Sequence, residues 1–343
     1  MSSAPCAPAC RRCGSGAAGL PVDSPTSSPS STPWVISTDI YVIPCDESED
    51  GTAMEKITVI TLSRGRPELL RRSIESVRRQ DYAGPVEHLV VIDDCERTAR
   101  EIADEVSAST DHRRVTAHLM RRAGDGDGTG GGGGTGGGAG TDSRAWIYPR
   151  ISRLLNKGAA LADSTWISFL DDDNEYRPDH LRGLMALVER TGYSAVHSAR
   201  SIHWADGSPY LEPRFPWAHV PGTAEEIYEL MCARGIWVRG TNVLRDRAVP
   251  IDVSVFRNST IMTSRDAPFL VDQNIWLMRR DLMLAHPIPD IFSERDLDEN
   301  MGPDDMQLKV LLSQRIPIAS TGEPTVRYYL GGVSNNLRPV PRR

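Results

Sequence analysis

The chain has 343 residues with 39 Lys and Arg against 46 Asp and Glu, and this net charge of −7 argues against nucleic-acid binding driven by charge alone. Apolar residues make up 39% of the sequence, which is enough to build a folded core. No apolar run reaches the roughly 18 residues that a membrane-spanning helix needs, so we expect no transmembrane segment.

The first 51 residues differ in composition from the rest of the chain. Residues 1–33 contain six Pro and eight Ser, which predicts a disordered tail, and an acidic linker follows it. Cys6, Cys10 and Cys13 are closely spaced, but no second Cys-x-x-Cys pair completes a zinc site, so a thiol-bearing tail is favoured. The N-terminus lacks the basic start and apolar stretch of a secretory signal, and we therefore expect a cytoplasmic protein.

A glycine-rich stretch interrupts the remainder of the chain. Twelve of the 17 residues in 124–140 are Gly, a composition typical of a flexible surface loop. We predict one domain over 52–336, with this loop inside a first half, 52–180, and a second half over 181–336. Residues 337–343 form a short basic C-terminal tail.

Apolar strand patterns alternate with amphipathic helical patterns in the first half. Pro67 begins a helical pattern with Leu70, Ile74 and Val77 on one face. The pattern predicts strands at 57–62, 86–92, 115–120 and 166–170, and further helices at 99–106 and 151–161. Such alternation predicts an α/β fold with a mostly parallel sheet and helices on both faces. Ligands bind these sheets beyond the carboxyl ends of the strands.

The second half is less regular and indicates a smaller, mixed region. Residues 223–226 have the pattern of a capping box, which predicts a helix from Thr223 that ends at Gly235. Pro303 begins a last amphipathic helix. Further strands are expected at 193–198, 201–204, 242–256 and 269–278.

Three consecutive carboxylates follow the apolar run 166–170. Residues two apart on an extended chain point the same way, so Asp171 and Asp173 are expected to converge on one ligand while Asp172 points elsewhere. Clustered carboxylates repel one another, and a divalent cation relieves this repulsion. Such oxygen ligands suit Mn²⁺ or Mg²⁺, which keep coordination positions for substrate phosphates. The alternative interpretation is a solvated acidic turn with a helix cap.

The three carboxylates belong to a series of short motifs that follow one another along the chain. They are 57–63, 66–70, 90–94, 156–158, 169–173, Pro178, 274–282 and 303–308. In order and spacing this set resembles the family 2 glycosyltransferases, over about Lys56 to Tyr329 and apart from the glycine-rich stretch. The resemblance implies the GT-A fold, with a Rossmann-like nucleotide-sugar half and a mixed acceptor-side half.

The resemblance also implies roles for individual side chains. The residues that it assigns to the nucleotide sugar are Ser63, Asp93, Asp94, Asn156, Asp171 and Asp172. A carboxylate of the Asp93 and Asp94 pair can accept the uracil N3–H, which favours a UDP-sugar, although helix capping is the alternative reading of both. The metal ligands are Asp171 and Asp173. Leu155 replaces an Arg that is frequent in the family, which leaves Arg150 or Arg153 as candidates for the diphosphate contact.

Asp305 occupies the position of the catalytic base in this resemblance, and Asp304 replaces the family's Glu. Inverting transfer is a single in-line displacement in which one carboxylate takes the proton of the acceptor hydroxyl. Acidic residues in the first turn of a helix after Pro303 also stabilise the helix dipole, which explains both side chains without catalysis. The position in the family pattern favours Asp305 as the base.

The sequence therefore predicts an inverting, metal-dependent glycosyltransferase with a nucleotide-sugar donor and a small-molecule or glycan acceptor, as in natural-product or cell-surface glycan synthesis. One alternative is a nucleotidyltransferase of the same fold, which usually has a Gly-rich phosphate loop, whereas 63–66 offers only Gly65. A second alternative is an inactive nucleotide-sugar-binding scaffold, against which the intact Asp171 and Asp173 argue.

Overall fold

The structure, a computed structural model, describes residues 54–108, 110–121, 144–217, 222–248, 271–298 and 301–331. The expected N-terminal tail and linker with its three cysteines, the glycine-rich loop at 124–140 and the basic C-terminal tail all lie outside these residues. Most of the strand expected at 242–256 lies outside them as well.

A single mixed sheet runs through both predicted halves of the described chain. Its strands are β1 (Ile57–Ser63), β2 (Val86–Asp93), β3 (Arg113–Met120), β4 (Trp166–Phe169), β5 (Glu175–Tyr176), β6 (Ala195–His203), β7 (Val243–Leu244), β8 (Trp276–Arg279) and β9 (Ile318–Tyr329). The strand order is β3-β2-β1-β4-β8-β6-β9-β5, and β7 pairs with β6. The first four strands are mutually parallel, and β8 joins them in the antiparallel direction between β4 and β6.

Helices cover both faces of this sheet. They are α1 (Pro67–Arg78), α2 (Glu96–Glu101), α3 (Ala103–Ser107), α4 (Arg144–Leu161), α5 (His180–Thr191), α6 (Thr223–Ala233), α7 (Arg280–Ala285), α8 (Glu294–Asp298) and α9 (Pro303–Ser313). Strand β2 has apolar side chains on both of its faces: Val90 and Ile92 pack with α1, whereas Val91 belongs to the cluster that includes α4. The predicted α/β class is confirmed, with a parallel first half and a mixed second half.

The close fit of α4 against β1 explains the glycine of the Asn-x-Gly motif. A Cβ at Gly158 would lie 2.6 Å from Cγ2 of Ile60, closer than packed atoms approach. Glycine therefore lets the helix lie directly on the strand. Ile60 is almost fully buried, and the contact belongs to the main core.

Three local predictions are corrected. The strands expected at 193–198 and 201–204 are the single strand β6, since its whole length pairs with β9 across a bulge. The helix expected at 99–106 is broken at Ile102, which is buried. The predicted capping box is absent: Gly222, which has no side chain to accept a bond, is the cap, and Thr223 is already helical.

Candidate active site

The carboxyl ends of β1, β2 and β4 meet at one edge of the sheet, because β1 pairs in parallel with both of the others. This edge carries Ser63 at the end of β1, Asp93 at the end of β2 and the three carboxylates that follow β4. Residues 171–173 are called the Asp turn below. The hydroxyl of Ser63 donates a hydrogen bond of 2.7 Å to Oδ2 of Asp172, so two residues that are 109 positions apart are in direct contact.

The Asp turn is not an extended chain. Strand β4 ends at Phe169, and a turn begins at Asp172. The alternation expected for an extended chain therefore does not describe these side chains. Asp172 is fully buried and Asp173 partly buried, whereas Asp171 retains a large accessible surface. It is Asp172 and Asp173 that converge on one partner in this structure.

That partner is Arg66, in the loop between β1 and α1. Its Nη1 lies 2.9 Å from Oδ2 of Asp173, and its Nη2 donates to Oδ1 of Asp172. Gly65 has φ +71°, a left-handed conformation that favours glycine and turns the chain just before this arginine. Burial alone lowers the pKa of Arg66, but the carboxylates of the Asp turn raise it overall.

Two carboxyl groups of the Asp turn, those of Asp171 and Asp172, have raised pKa values. Desolvation by the protein atoms around its carboxyl group, with the charge of Asp173 next in importance, raises the pKa of Asp171 to about 7. Burial also raises the pKa of Asp172 to about 6, against the opposing charge of Arg66. Nearby protein atoms and neighbouring negative charge therefore both act on the carboxylates of Asp171 and Asp172.

Asn274 contacts the Asp turn from the other half of the chain. It belongs to a short 3-10 helix, Gln273–Ile275, that leads into β8. Its Oδ1 accepts the backbone N–H of Asp171 at 2.5 Å, and its Nδ2 donates to Oδ2 of Asp171 at 2.8 Å and to Oδ1 of Asp272 at 2.7 Å. The sequence pattern placed Asn274 only in an acceptor-side strand and contained no sign of these contacts.

Asp272, which accepts a hydrogen bond from Asn274, is in turn bound by a buried arginine. Arg200 of β6 is 1% exposed, donates two hydrogen bonds to Asp246 at 2.9 and 3.1 Å, and donates another to Asp272. Its guanidinium also stacks on Trp217 and Tyr328 at 5.2 and 4.9 Å from the ring centroids. Sequence reasoning missed Arg200, because a single arginine in a strand has no local pattern that marks it as a partner of distant carboxylates.

Asp93 lies at the expected nucleoside position and is paired with arginine. Nε of Arg150 lies 2.9 Å from Oδ1 of Asp93, and Nη1 of Arg64 lies 3.9 Å from Oδ2. Asp94 is exposed with φ +48°, in the left-handed region, so the chain turns sharply just after β2. Arg153, the other arginine considered for the diphosphate, forms an ion pair of 2.7 Å with Asp290.

The side-chain amide of Asn156 is hydrogen-bonded to the backbone of Ile288. Its Nδ2 donates to the carbonyl oxygen of Ile288 at 2.8 Å, and its Oδ1 accepts the N–H of Ile288 at 2.9 Å. Both polar groups of the amide are therefore engaged with the backbone. A contact between Asn156 and a nucleotide sugar, as predicted from the sequence, requires these bonds to break.

Asp304 and Asp305 lie at the N-terminus of α9, and both are half-buried. Oδ2 of Asp305 accepts the backbone N–H of Gly302 at 3.0 Å, which is the helix-capping contact considered as the alternative role. Burial raises the pKa of Asp305 to about 6, while the Gly302 N–H and the charge of Arg200 oppose the shift. Burial and the charge of Asp305 raise the pKa of Asp304 well above its ordinary value.

The donor set of the Asp turn fits a hard cation that is shared with a diphosphate. In the described part of the chain, no group of three or more His, Cys, Asp or Glu side chains is arranged to hold a metal ion by itself. However, Mg²⁺ is commonly bound by one or two carboxylates together with substrate phosphates. Oδ1 of Asp171 and Oδ1 of Asp173 accept no hydrogen bond from the described residues, so one oxygen of each carboxylate is open to a further partner.

A comparison with protein families gives one match. Residues 150–267 match the family model described as Glycosyl transferase family 2. The match confirms, for this segment, the resemblance to the family 2 glycosyltransferases predicted from the sequence, and it supports a role in glycosyl transfer. The matched segment contains the Asp turn, Arg200 and Asp246, and it begins after β1, β2 and β3. No curated protein matches the sequence.

Solved structures include distant matches. The S. aureus TarS fragment 1-349 in complex with UDP-GlcNAc is 12% identical with a TM-score of 0.47, over 83% of this chain and 62% of that chain. The mannosyltransferase PcManGT from Pyrobaculum calidifontis, in complex with GDP-Man and Mn²⁺, is 14% identical with a TM-score of 0.47, over 85% and 62%. This chain thus spans about three fifths of either one.

None of the helices in the described residues is long and apolar enough to cross a membrane.

Proposed function

We propose that this protein is an inverting, metal-dependent glycosyltransferase of the GT-A type, with a UDP-sugar as donor and a hydroxyl group of a small molecule or glycan as acceptor. The observation that carries the proposal is the meeting of Ser63, Asp93 and the Asp turn where β1, β2 and β4 end. Ligands of open α/β sheets bind at such an edge. The match of residues 150–267 to glycosyltransferase family 2 supports this reading.

The nucleoside part of the donor is proposed to lie at the end of β2. Asp93 offers a carboxylate there that can accept the uracil N3–H, and Arg150 and Arg64 orient it from two sides. Asp94 follows at an exposed, sharply turned position. Ser63 acts through Asp172, since its hydroxyl is bonded to that buried carboxylate.

The diphosphate part is proposed to lie over the Asp turn. Asp171 and Asp173 would hold Mn²⁺ or Mg²⁺ through their free oxygens, together with the diphosphate. When bound, the cation supplies positive charge that neutralises the leaving group. Asn274 fixes Asp171 through its backbone N–H and its carboxylate, so this ligand is positioned before the donor arrives.

The acceptor hydroxyl is proposed to lose its proton to Asp305. In one displacement, the acceptor oxygen forms a bond to the anomeric carbon, the bond from that carbon to the diphosphate breaks, and its electron pair leaves with the nucleotide. A base works best with a pKa near the operating pH, and the pKa of Asp305 is about 6. Burial and the charge of Asp305 raise the pKa of Asp304 as well, so it is the position in the family pattern that favours Asp305.

Release of nucleoside diphosphate tests this proposal. The full chain is incubated with Mn²⁺ and, separately, with UDP-glucose, UDP-N-acetylglucosamine, UDP-galactose and GDP-mannose, without acceptor. We expect slow release of UDP from one UDP-sugar, faster release when a suitable acceptor is added, and loss of both in Asp173→Asn. Asp163→Asn is the matched control, because Asp163 is fully exposed and lies outside the site.

The two alternatives give different results in the same assay. A nucleotidyltransferase forms pyrophosphate from UTP and a sugar 1-phosphate and releases no UDP from a UDP-sugar. A scaffold binds a nucleotide sugar but releases no UDP with or without acceptors. Either result would contradict the proposed transfer.

A further inference from the structure

Arg66 contacts one of the two carboxylates that are proposed to share a cation. Its guanidinium touches both Asp172 and Asp173, and Asp173 is one of the two proposed cation ligands. A guanidinium between two carboxylates neutralises them in the same way as a bound cation. Arg72 also reaches the Asp turn, but it donates to the backbone carbonyl oxygen of Asp173 rather than to a carboxylate.

The position of Arg66 also allows it to move. Its side chain is 30% exposed, whereas the side chains of Asp172 and Asp173 are 0% and 14% exposed. It projects from a loop with open space at the preceding residue, since a Cβ added at Gly65 would meet no atom within 4 Å. The Asp172 carboxylate is also held by Ser63, so it stays in place when one partner leaves.

We propose that Arg66 is the resident counter-ion of the free site and a diphosphate-binding residue of the loaded site. In the free protein it neutralises Asp172 and Asp173. When the cation and the donor bind, Arg66 gives up Asp173 to the cation and donates to the diphosphate, while it keeps the contact with Asp172. The inference rests on the proposed function, because it assigns a further residue to the same diphosphate site.

If Arg66 competes with the cation, removing Arg66 changes the affinities for Mn²⁺ and for UDP in opposite directions. Removal of a residue that binds only the diphosphate leaves the affinity for Mn²⁺ alone unchanged. Removal of a resident counter-ion instead raises that affinity, since Asp173, one of the two proposed cation ligands, loses the positive charge that competes with the cation. At the same time the affinity for UDP falls, because a charge-assisted contact to the diphosphate is lost.

The test compares wild type with Arg66→Gln by titration calorimetry with Mn²⁺ alone, and then with UDP and with uridine in saturating Mn²⁺. We expect Mn²⁺ to bind Arg66→Gln about tenfold more tightly, UDP to bind it about tenfold more weakly, and uridine to bind equally to both proteins. Arg97→Gln is the matched control, because Arg97 is exposed and contacts the same loop at the Gly65 carbonyl oxygen but neither carboxylate. It is expected to behave as wild type with Mn²⁺.

Arg66→Lys covers the case in which Arg66→Gln does not fold, since Lys keeps the charge but cannot span two carboxylates. Its Mn²⁺ affinity is expected to lie above that of wild type. Equal or weaker Mn²⁺ binding by the folded Arg66 variant would overturn the inference, as would the absence of Mn²⁺ binding in both proteins. Failure of wild type to bind UDP or any nucleotide sugar would contradict the proposed function, whereas the titrations with Mn²⁺ alone would still decide the counter-ion role.

Discussion

Asn274 holds Asp171 at two points: its Oδ1 accepts the backbone N–H at 2.5 Å, and its Nδ2 donates to the carboxylate at 2.8 Å. The same Nδ2 reaches Asp272, which Arg200 binds in turn. The Asp turn that follows β4 is thereby linked to β6 through a chain of hydrogen-bonded residues. The geometry of the proposed cation site thus depends on a residue that lies 103 positions further along the chain.

Asn274→Asp tests this link. The new carboxylate can still accept the Asp171 N–H, but it loses the donors to Asp171 and Asp272 and adds a charge between them. We expect a loss of about 3 kcal/mol in the free energy of unfolding at pH 7.5, measured by urea denaturation. Gln273→Glu is the control, because its amide contacts Gln307 and no carboxylate. Equal losses in the two variants would show that the link to Asp171 has no special weight.

Arg200→Met tests the buried ion cluster. The substitution leaves Asp246 and Asp272 buried without their counter-charge, and we expect a cost of about 3–5 kcal/mol in the free energy of unfolding. Adding Asp246→Leu is expected to recover part of that loss. The matched control is Arg239→Met, which removes an exposed pair with Glu229 and is expected to cost no more than about 1 kcal/mol. A similar small cost at Arg200 would contradict the account.

Asp305→Asn tests the base. Asn keeps an oxygen that can accept the Gly302 N–H, so the cap of α9 survives while the basic group is lost. Turnover is expected to fall by about 10²–10⁴ with unchanged UDP affinity. Asp304→Asn is the neighbouring control and is expected to lose far less. Near-normal turnover in Asp305→Asn would leave the carboxylate with the capping role alone.

His180 provides a prediction on pH. It is fully buried between Tyr176 and Thr325, and burial lowers its pKa to about 3. Because the unfolded chain takes up a proton below about pH 6.5 and the folded chain does not, the neutral ring destabilises the protein progressively as the pH falls below about 6.5. The cost of His180→Gln should therefore shrink by about 2 kcal/mol between pH 7.5 and pH 5.

Urea denaturation of both proteins at the two pH values measures this change. Carboxyl groups with raised pKa values, such as Asp246, stabilise the folded protein as the pH falls, which is opposite to the effect of His180. The difference between wild type and variant at each pH therefore isolates the contribution of His180. His112→Gln, at an exposed position, serves as the control. A cost of His180→Gln that does not vary with pH would contradict the buried, neutral state of the ring.

Local sequence patterns predicted the elements with strong periodicity. The all-apolar runs that became β1 and β2, and the apolar face of α1, are set by residues close together in the chain. Helix α5 was missed although its buried Leu181, Leu184 and Val188 have helical spacing. The long strand β9 was missed because its first half is only half-buried and mixed in polarity.

The candidate site was predicted only in part, for a different physical reason. The residues at the ends of β1, β2 and β4 were expected to meet, because the carboxyl ends of parallel strands lie at the same edge of a sheet. The partners of the carboxylates do not, because Arg66, Asn274 and Arg200 reach them across long stretches of chain or from a turn of irregular shape. A residue such as Asn156, whose amide serves the backbone, has the same local sequence in either role.

Binding of UDP with and without a divalent cation tests the central claim most directly. Titration calorimetry of the full chain with UDP is performed in Mn²⁺ and then in excess EDTA, with Asp173→Asn in parallel. We expect clear binding in Mn²⁺, a loss of affinity of at least about tenfold in EDTA, and a similar loss in Asp173→Asn, because carboxylates without a cation repel the diphosphate. Equal affinity for UDP in Mn²⁺ and EDTA would contradict a cation-assisted diphosphate site at the Asp turn.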